Sequence, residues 1–69
     1  PPGPDYAVGP GDLLELFLWG QVDADYLLPV EADGTVRIPK VGVVSLAGLT
    51  LGQARERIHA ALARQFSRF

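Results

Sequence analysis

The sequence predicts an α+β domain: a small mixed β-sheet with a β-hairpin, and one C-terminal amphipathic helix packed on that sheet. Short apolar runs occupy much of residues 6–46, and clusters of glycine, proline and aspartate separate them, which is typical of strands and turns. From residue 51 the apolar residues instead recur at helical spacing. With 69 residues and no cysteine, the chain has room for one small domain without a disulfide to stabilise it.

The chain opens with Pro1–Asp5, which we expect to be an extended and mobile linker because proline fixes φ and lacks an amide donor. The folded domain is expected to cover residues 6–69 and to begin with a short strand at Tyr6–Val8. A linker at one end and a helix directly at the other indicate a fragment of a larger protein. Contacts with other domains or other copies are expected to stabilise so small a chain.

A turn at Gly9–Asp12 precedes the first long strand, Leu13–Trp19. Gly9 and Gly11 can adopt a positive φ, and Asp12 can accept hydrogen bonds from nearby backbone amides. Because side chains alternate along a strand, three leucines share one face: Leu14, Leu16 and Leu18. The other face carries Leu13, Glu15, Phe17 and Trp19. Apolar residues on both faces predict that the helix covers one face and that something else covers the other.

The next two strands, Tyr26–Glu31 and Thr35–Ile38, are predicted to form the hairpin after a polar loop at Gly20–Asp25. A two-residue turn would pair core positions with surface positions, so a three-residue loop, Ala32-Asp33-Gly34, is preferred. This loop places Gly34 in the left-handed position of a G1 bulge, where glycine is least strained. The register then pairs Val30 with Val36 and Leu28 with Ile38. Pro29 is expected at an edge or a bulge because it has no amide donor.

A last strand over Val41–Leu46, bent at Gly42, leads through a turn at Gly48-Leu49 into the helix. Thr50 and Gln53 have the spacing of a capping box, in which each side chain bonds the backbone amide of the other residue. The helix is predicted to run from Thr50 or Leu51 to about Phe66. Its apolar face comprises Leu51, Ala54, Ile58, Ala61, Leu62 and Phe66.

Few residues have the chemistry of a catalytic or metal site. His59 is the only histidine, and without a cysteine or a second histidine it is expected on a half-exposed helix flank. Asp23 and Asp25 have the spacing of calcium ligands but lack the later ligands of a calcium loop. Gly9-Pro10-Gly11 lacks an amide and the lysine that a phosphate-binding loop needs. We therefore predict no enzyme activity, no cofactor and no metal.

The charges differ between the two parts of the chain. Residues 1–50 contain seven acids and two bases, whereas residues 51–69 contain four arginines and one acid. The dipole of a C-terminal helix favours basic residues near its end, so the pattern does not require nucleic acid, and none is predicted as a partner. No apolar run approaches the ~20 residues of a membrane-spanning helix, so this fragment itself is predicted not to span a membrane.

Four residues are candidates for an interface. Trp19 either closes the local core or anchors a contact with adjoining protein, and Phe17 lies on the same face of the strand. Arg55 and Arg57, together with Arg64, either form a solvated helix face, pair with acids of another subunit, or contact an anionic polymer. The other residues singled out have structural roles in turns and in the helix cap: Gly9, Gly11, Asp12, Asp33, Gly34, Gly48, Thr50 and Gln53.

The order of these motifs resembles that of one family. The motifs are Tyr6-Ala7-Val8-Gly9-Pro10-Gly11-Asp12, Leu14-Glu15-Leu16-Phe17-Leu18-Trp19-Gly20, Asp33-Gly34-Thr35-Val36, Pro39-Lys40-Val41-Gly42, and Gly48-Leu49-Thr50 with the helix. Each motif is common by itself, but their order and spacing are specific. From about Tyr6 to Phe66 the chain resembles the N-terminal export-signature domain of the polysaccharide biosynthesis/export proteins, the Wza-like outer-membrane exporters of capsular polysaccharide and exopolysaccharide.

The resemblance implies a passive part in moving a polysaccharide through the Gram-negative cell envelope. Similar proteins are lipoproteins on the periplasmic side of the outer membrane, and they assemble as homo-oligomeric rings around a channel for the polymer. In them this domain is usually followed by soluble ligand-binding β-grasp (SLBB) domains and a membrane-spanning segment. They work with an inner-membrane polysaccharide co-polymerase. The acylated cysteine and the later domains of the family pattern are not in this sequence.

Two other functions are compatible with the sequence. A β-grasp-like ligand-binding module would recognise a sugar or a cell-wall fragment through loop residues such as Gln21, Asp23 and Tyr26, with the aromatic ring stacked on the sugar. A domain of a protein-secretion pore is a third interpretation, because similar Gly-Asp turns followed by a strand occur there.

Overall fold

The computed structural model describes residues 2–18 and 24–65, and in these ranges it contains four strands followed by one helix. The strands are β1 (Leu13–Leu18), β2 (Ala24–Pro29), β3 (Thr35–Ile38) and β4 (Gly42–Ser45), and the helix α1 is Leu51–Gln65. The α+β class and the C-terminal helix are as predicted. The described strands form two antiparallel pairs, β1–β2 and β3–β4, in place of one mixed sheet.

The turn before β1 combines a proline with a left-handed glycine. The Asp12 amide donates to the Gly9 carbonyl at 3.1 Å, with Pro10 and Gly11 at the centre of the turn. Gly11 has φ 90°, whereas Gly9 has no positive φ. Gly11 N donates to the Val30 carbonyl at 2.9 Å, and Val30 N donates to the Asp12 carbonyl at 2.8 Å. Two residues of one strand, Gly11 and Asp12, thus lie opposite a single residue, Val30, of the other. This is a G1-type bulge, and it continues the β1–β2 pairing beyond the strand ends.

The loop of the predicted hairpin is present. Gly34 N donates to the Glu31 carbonyl at 2.9 Å, and Glu31 N donates to the Thr35 carbonyl at 2.8 Å. Gly34 has φ 83°, the left-handed conformation expected for the bulge position of a three-residue loop.

Beyond this loop the predicted pairing is wrong, because β2 and β3 pair with different strands. Leu28 lies opposite Leu14 in β1, and Ile38 lies opposite Gly42 in β4. The predicted pairs of Val30 with Val36 and of Leu28 with Ile38 therefore do not form.

Pro29 explains why β2 and β3 separate after one hydrogen-bonded pair. In antiparallel pairing, hydrogen-bonded pairs alternate with pairs that share no bond. Glu31 and Thr35 form such a bond, so the next one in the predicted register would join Pro29 to Arg37. Proline has no N–H to donate, and the ladder stops there. In the observed register Pro29 lies opposite Leu13, and this pair is one of those that share no hydrogen bond. Pro29 therefore needs no N–H donor toward β1.

The core lies mainly between α1 and the second sheet, and it also includes the end of β2. Its largest fully buried side chains are Leu28, Val36, Ile38 and Leu46. The helix contributes four buried residues of its predicted apolar face: Ala54, Ile58, Ala61 and Leu62. Leu51 is half-buried, and Phe66 lies outside the described residues. The leucines of β1 pack against the border of this core and are only partly buried, so β1 is left partly uncovered.

The opening segment is attached to the start of α1. Tyr6 N donates to the Gly3 carbonyl at 3.1 Å, so residues 3–6 form a turn, and the expectation of an extended segment is wrong here. Gly52 N donates to the Pro4 carbonyl at 2.9 Å, and Leu51 N donates to the Tyr6 carbonyl at 2.7 Å. The strand predicted at Tyr6–Val8 is reduced to a single bridge between Ala7 and Thr50. The first amides of the helix are therefore bonded to the protein's own carbonyls.

Candidate functional site on the two faces of the first sheet

One face of the β1–β2 sheet is exposed to solvent. The register places Leu13 opposite Pro29, Glu15 opposite Leu27, and Phe17 opposite Asp25, so these six exposed side chains share a face. We call it the outer face, made of Leu13, Glu15, Phe17, Asp25, Leu27 and Pro29. Leu13, Phe17 and Leu27 are 61%, 53% and 62% exposed. The outer face is therefore mostly apolar, and both of its charged residues are acids.

The opposite face of the same sheet borders an open groove. Three half-buried leucines of β1 face the apolar side of α1 across a space of about 720 Å³. We call this space the leucine groove, and its apolar lining includes Leu14, Leu16, Leu18, Leu51, Ile58 and Leu62. Arg55 and His59 of α1 also line it, as do Leu13, Glu15 and Phe17 along β1. The groove forms because α1 packs on the second sheet through β4, which leaves the space beside β1 open.

The alternation of β1 is as the sequence predicts, with the leucine row on one side and Leu13, Glu15 and Phe17 on the other. Trp19, the candidate either for closing the local core or for an interface anchor, lies outside the described residues, as do Gln21 and Asp23. Tyr26 is half-buried and lies opposite Leu16, on the groove side of the sheet. The groove was missed by sequence reasoning, because periodicity does not show which sheet a helix contacts.

Arg55 and Arg57, grouped together in the sequence, lie on different sides of α1. Arg55 borders the leucine groove, whereas Arg57 Nη1 donates to the Ser45 carbonyl at 3.1 Å. Ser45 lies opposite Thr35 in a pair that shares no hydrogen bond, so its carbonyl points away from β3. Arg57 thus covers an open edge of β4 and joins the helix to that strand. An interface role for either arginine stays a prediction.

Asp12 links the first turn to the preceding segment. Its Oδ2 accepts a hydrogen bond from the Gly9 amide at 2.9 Å. The Tyr6 hydroxyl donates to Oδ1 and Oδ2 of the same carboxylate at 2.9 and 3.0 Å. This side-chain hydrogen bond to Asp12 is the main reason that the pKa of Tyr6 is raised from 10.0. The contacts give Asp12 a structural role in the turn.

Asp33 holds the second turn in a similar way. Its Oδ1 accepts from the Thr35 hydroxyl at 2.7 Å and from the Thr35 amide at 3.1 Å. The hydroxyl contact is the larger cause, and together they lower the pKa of Asp33 from 3.8. Gly34 next to it is buried against Ala47, and Gly48 has φ 77° in the turn before α1.

The capping box at the start of α1 is present. Gln53 N donates to Thr50 Oγ1 at 3.3 Å, and Thr50 N donates to Gln53 Oε1 at 3.0 Å. With the bonds from Leu51 and Gly52 to the opening segment, these contacts occupy the amides that could otherwise bind an anion.

Across residues 2–18 and 24–65, no three His, Cys, Asp or Glu side chains are arranged so that they could hold a metal ion. In that part of the chain, no helix is both long enough and apolar enough to cross a membrane.

Comparisons with known proteins identify the family. A model of the polysaccharide biosynthesis/export proteins matches residues 1–69. Two Escherichia coli proteins, both named polysialic acid transport protein KpsD, are 40% identical to the chain over 50 residues. The match covers 72% of this chain and 9% of each relative, so the chain spans a small part of their length. No solved structure matches it. The chain belongs to the polysaccharide biosynthesis/export protein family, as the order of its motifs predicts.

Proposed function

We propose that this chain is a non-enzymatic structural domain of a polysaccharide export protein on the periplasmic side of the outer membrane. In this proposal the full-length protein forms a homo-oligomeric ring around the path of a capsular polysaccharide or exopolysaccharide. The family match over residues 1–69 supports a polysaccharide as cargo. The relatives named for polysialic acid transport support transport over synthesis.

The observation that carries a structural role is the outer face. Exposed apolar surface that is contiguous is uncommon on monomeric proteins and marks sites of interaction. Here Leu13, Phe17 and Leu27 lie on one face of a two-stranded sheet, each more than half exposed. A domain that repeats around a ring needs such a surface toward its neighbours, and it needs no reactive group.

The partners in this proposal follow the family resemblance. An inner-membrane polysaccharide co-polymerase delivers the polymer, and SLBB domains of the same protein continue the conduit beyond this domain. The domain itself binds no nucleic acid and no cofactor, and its contribution is packing against other protein.

Deletion of the gene for the full-length protein in its native host tests the proposal. We expect polysaccharide to disappear from the cell surface and to remain inside the envelope, as measured by a polymer-specific lectin on intact and on lysed cells. The wild-type gene should restore the surface signal. Unchanged surface polysaccharide in the deletion strain would contradict the proposal.

A variant of the outer face then tests the structural role. Leu27→Asp adds a charge to the exposed patch, so we expect reduced export and smaller assemblies of the full-length protein. Ala63→Asp is the matched control, because Ala63 is exposed on α1 and does not belong to the outer face or line the groove. Equal effects of the two substitutions would show that the outer face has no special role.

A further inference from the structure

We propose that adjacent subunits meet by seating the outer face of one copy on the leucine groove of the next. This inference rests on the proposed ring-forming function and specifies the two surfaces that make the contact. The side chains of the outer face and the leucine row alternate on opposite sides of the same β1–β2 sheet, and the β1 residues Leu13, Glu15 and Phe17 also border the groove. The contact is therefore head-to-tail, and such contacts form a ring when the rotation between neighbouring subunits closes.

The two surfaces are complementary in their apolar parts. The outer face presents Phe17 and Leu27, both more than half exposed. The groove presents the half-buried row Leu14, Leu16 and Leu18 opposite the apolar side of α1. Seating the outer face on the groove covers both apolar surfaces in a single contact. Burial of apolar surface is the main favourable term in protein association.

The charges decide between this arrangement and a symmetric dimer. Glu15 and Asp25 are the only charged residues of the outer face, and Arg55 borders the groove. Two outer faces placed against each other would bring four carboxylates together, which is unfavourable. An outer face placed on the groove instead brings Asp25, which does not line the groove of its own chain, toward Arg55 of the next copy. In the part of the chain that the structure describes, none of these three residues has an ion-pair partner, so each is available for a partner subunit.

A lipid with an anionic head is the competing occupant of the groove. Its acyl chain would match the leucines and its head would match Arg55. It would leave the outer face uncovered, however, and would not explain why the acids lie there. A second copy accounts for both surfaces at once, so we assign the groove to it.

A charge-swap experiment on the full-length protein in detergent tests the contact. We expect Arg55→Glu and Asp25→Arg each to weaken self-association at least about tenfold, because each places like charges at the contact, and Asp25 does not line the groove of its own chain. The double variant restores opposite charges in reversed order, and we expect it to recover most of the association. The mass of the assembly at a series of concentrations, measured by light scattering after size exclusion, gives the result. Arg64→Glu is the matched control, because Arg64 is an exposed helix arginine that does not line the groove.

Three results would overturn the inference. The first is an unchanged assembly mass in Arg55→Glu, and the second is a double variant that is no better than the singles. The third is a lipid found by native mass spectrometry at one per subunit and lost in Arg55→Glu while the mass of the protein assembly stays constant. Export separates this inference from the proposed function. If the charge swap behaves as expected while the deletion strain still exports polymer, the contact stands and the proposed function fails. If export is lost on deletion while the charge swap has no effect, the contact fails.

Discussion

At the scale of single residues, Gly34 combines a backbone constraint with a steric one. Its φ of 83° lies in the left-handed region, and a Cβ at this position would lie 2.9 Å from the Cβ of Ala47. We expect Gly34→Ala to lower the free energy of unfolding by roughly 2–5 kcal/mol, because backbone strain and overpacking add. Urea denaturation followed by circular dichroism measures this loss.

Gly11 is the matched control for Gly34. It has φ 90°, but a Cβ there would meet nothing within 4 Å. Gly11→Ala should therefore lose only the backbone part, about 1–2 kcal/mol. Equal losses at the two glycines would show that the approach of Ala47 is unimportant. Ala47→Gly added to Gly34→Ala should recover part of the stability.

Asp33 is expected to make stability depend on pH under acidic conditions. Its hydrogen bonds from Thr35 lower the pKa of the folded carboxyl below 3.8. The charged form is thus favoured by folding, so its contribution is complete above the unfolded pKa and disappears as the pH falls through the lower folded pKa. Asp33→Asn keeps an oxygen acceptor and removes the titration. Between about pH 4 and pH 2 the wild-type melting temperature should fall more steeply than that of Asp33→Asn, and parallel curves would refute this role.

At the scale of elements, Pro29 separates the two sheets. Pro29→Val supplies the missing amide, so we expect one more hydrogen bond between β2 and β3 and a gain of about 0.5–1.5 kcal/mol in unfolding free energy. Hydrogen exchange of the new amide reports the bond directly. Leu27→Val is the control, since it places the same residue in β2 without adding a donor. A new amide that exchanges as fast as an unprotected one would contradict this explanation.

The elements follow from local sequence more readily than their partners do. The cap at Thr50 and Gln53, the helix face and the Gly34 loop each depend on residues a few positions apart, so the sequence suffices to predict them. The pairing partner of Val30 cannot be predicted in this way, because it depends on a bulge at Gly11 almost twenty residues away. The missing amide of Pro29 is visible in the sequence, but only the bulge on the other side shows which strand replaces the lost pairing.

The same distinction holds for the candidate site. Alternation along β1 predicts that Phe17 and the leucine row lie on opposite faces, and the structure agrees. The leucine groove could not be predicted, because it depends on which sheet α1 contacts. Arg55 and Arg57 are two positions apart on the helix and therefore point to different sides. Helical geometry alone predicts this separation.

At the scale of the whole molecule, the buried apolar residues are concentrated on one side. Ile58 is 7% exposed in the core, whereas Leu13 on the outer face is 61% exposed. We expect Ile58→Ala to lower the unfolding free energy of this chain by about 2–4 kcal/mol. Leu13→Ala should change it by no more than about 0.5 kcal/mol. Chemical denaturation of both variants checks the contrast, and equal losses would mean that β1 is covered within the domain.

The asymmetry also relates the domain to its surroundings. A chain of 69 residues that leaves one sheet face and one groove open has little core to spare. Covering these surfaces with neighbouring protein would add the burial that the domain alone does not provide. In the assembly proposed above, we therefore expect the domain to resist denaturation better than this chain alone.

The bonds from Pro4 and Tyr6 to the first turn of α1 have a mechanical consequence. Tension that arrives along residues 2–4 passes straight into the helix, and Arg57 passes it on to the edge of β4. A pull on residues 2–4 is thus expected to load the start of α1 together with the opening segment. We therefore expect the opening segment and α1 to move together.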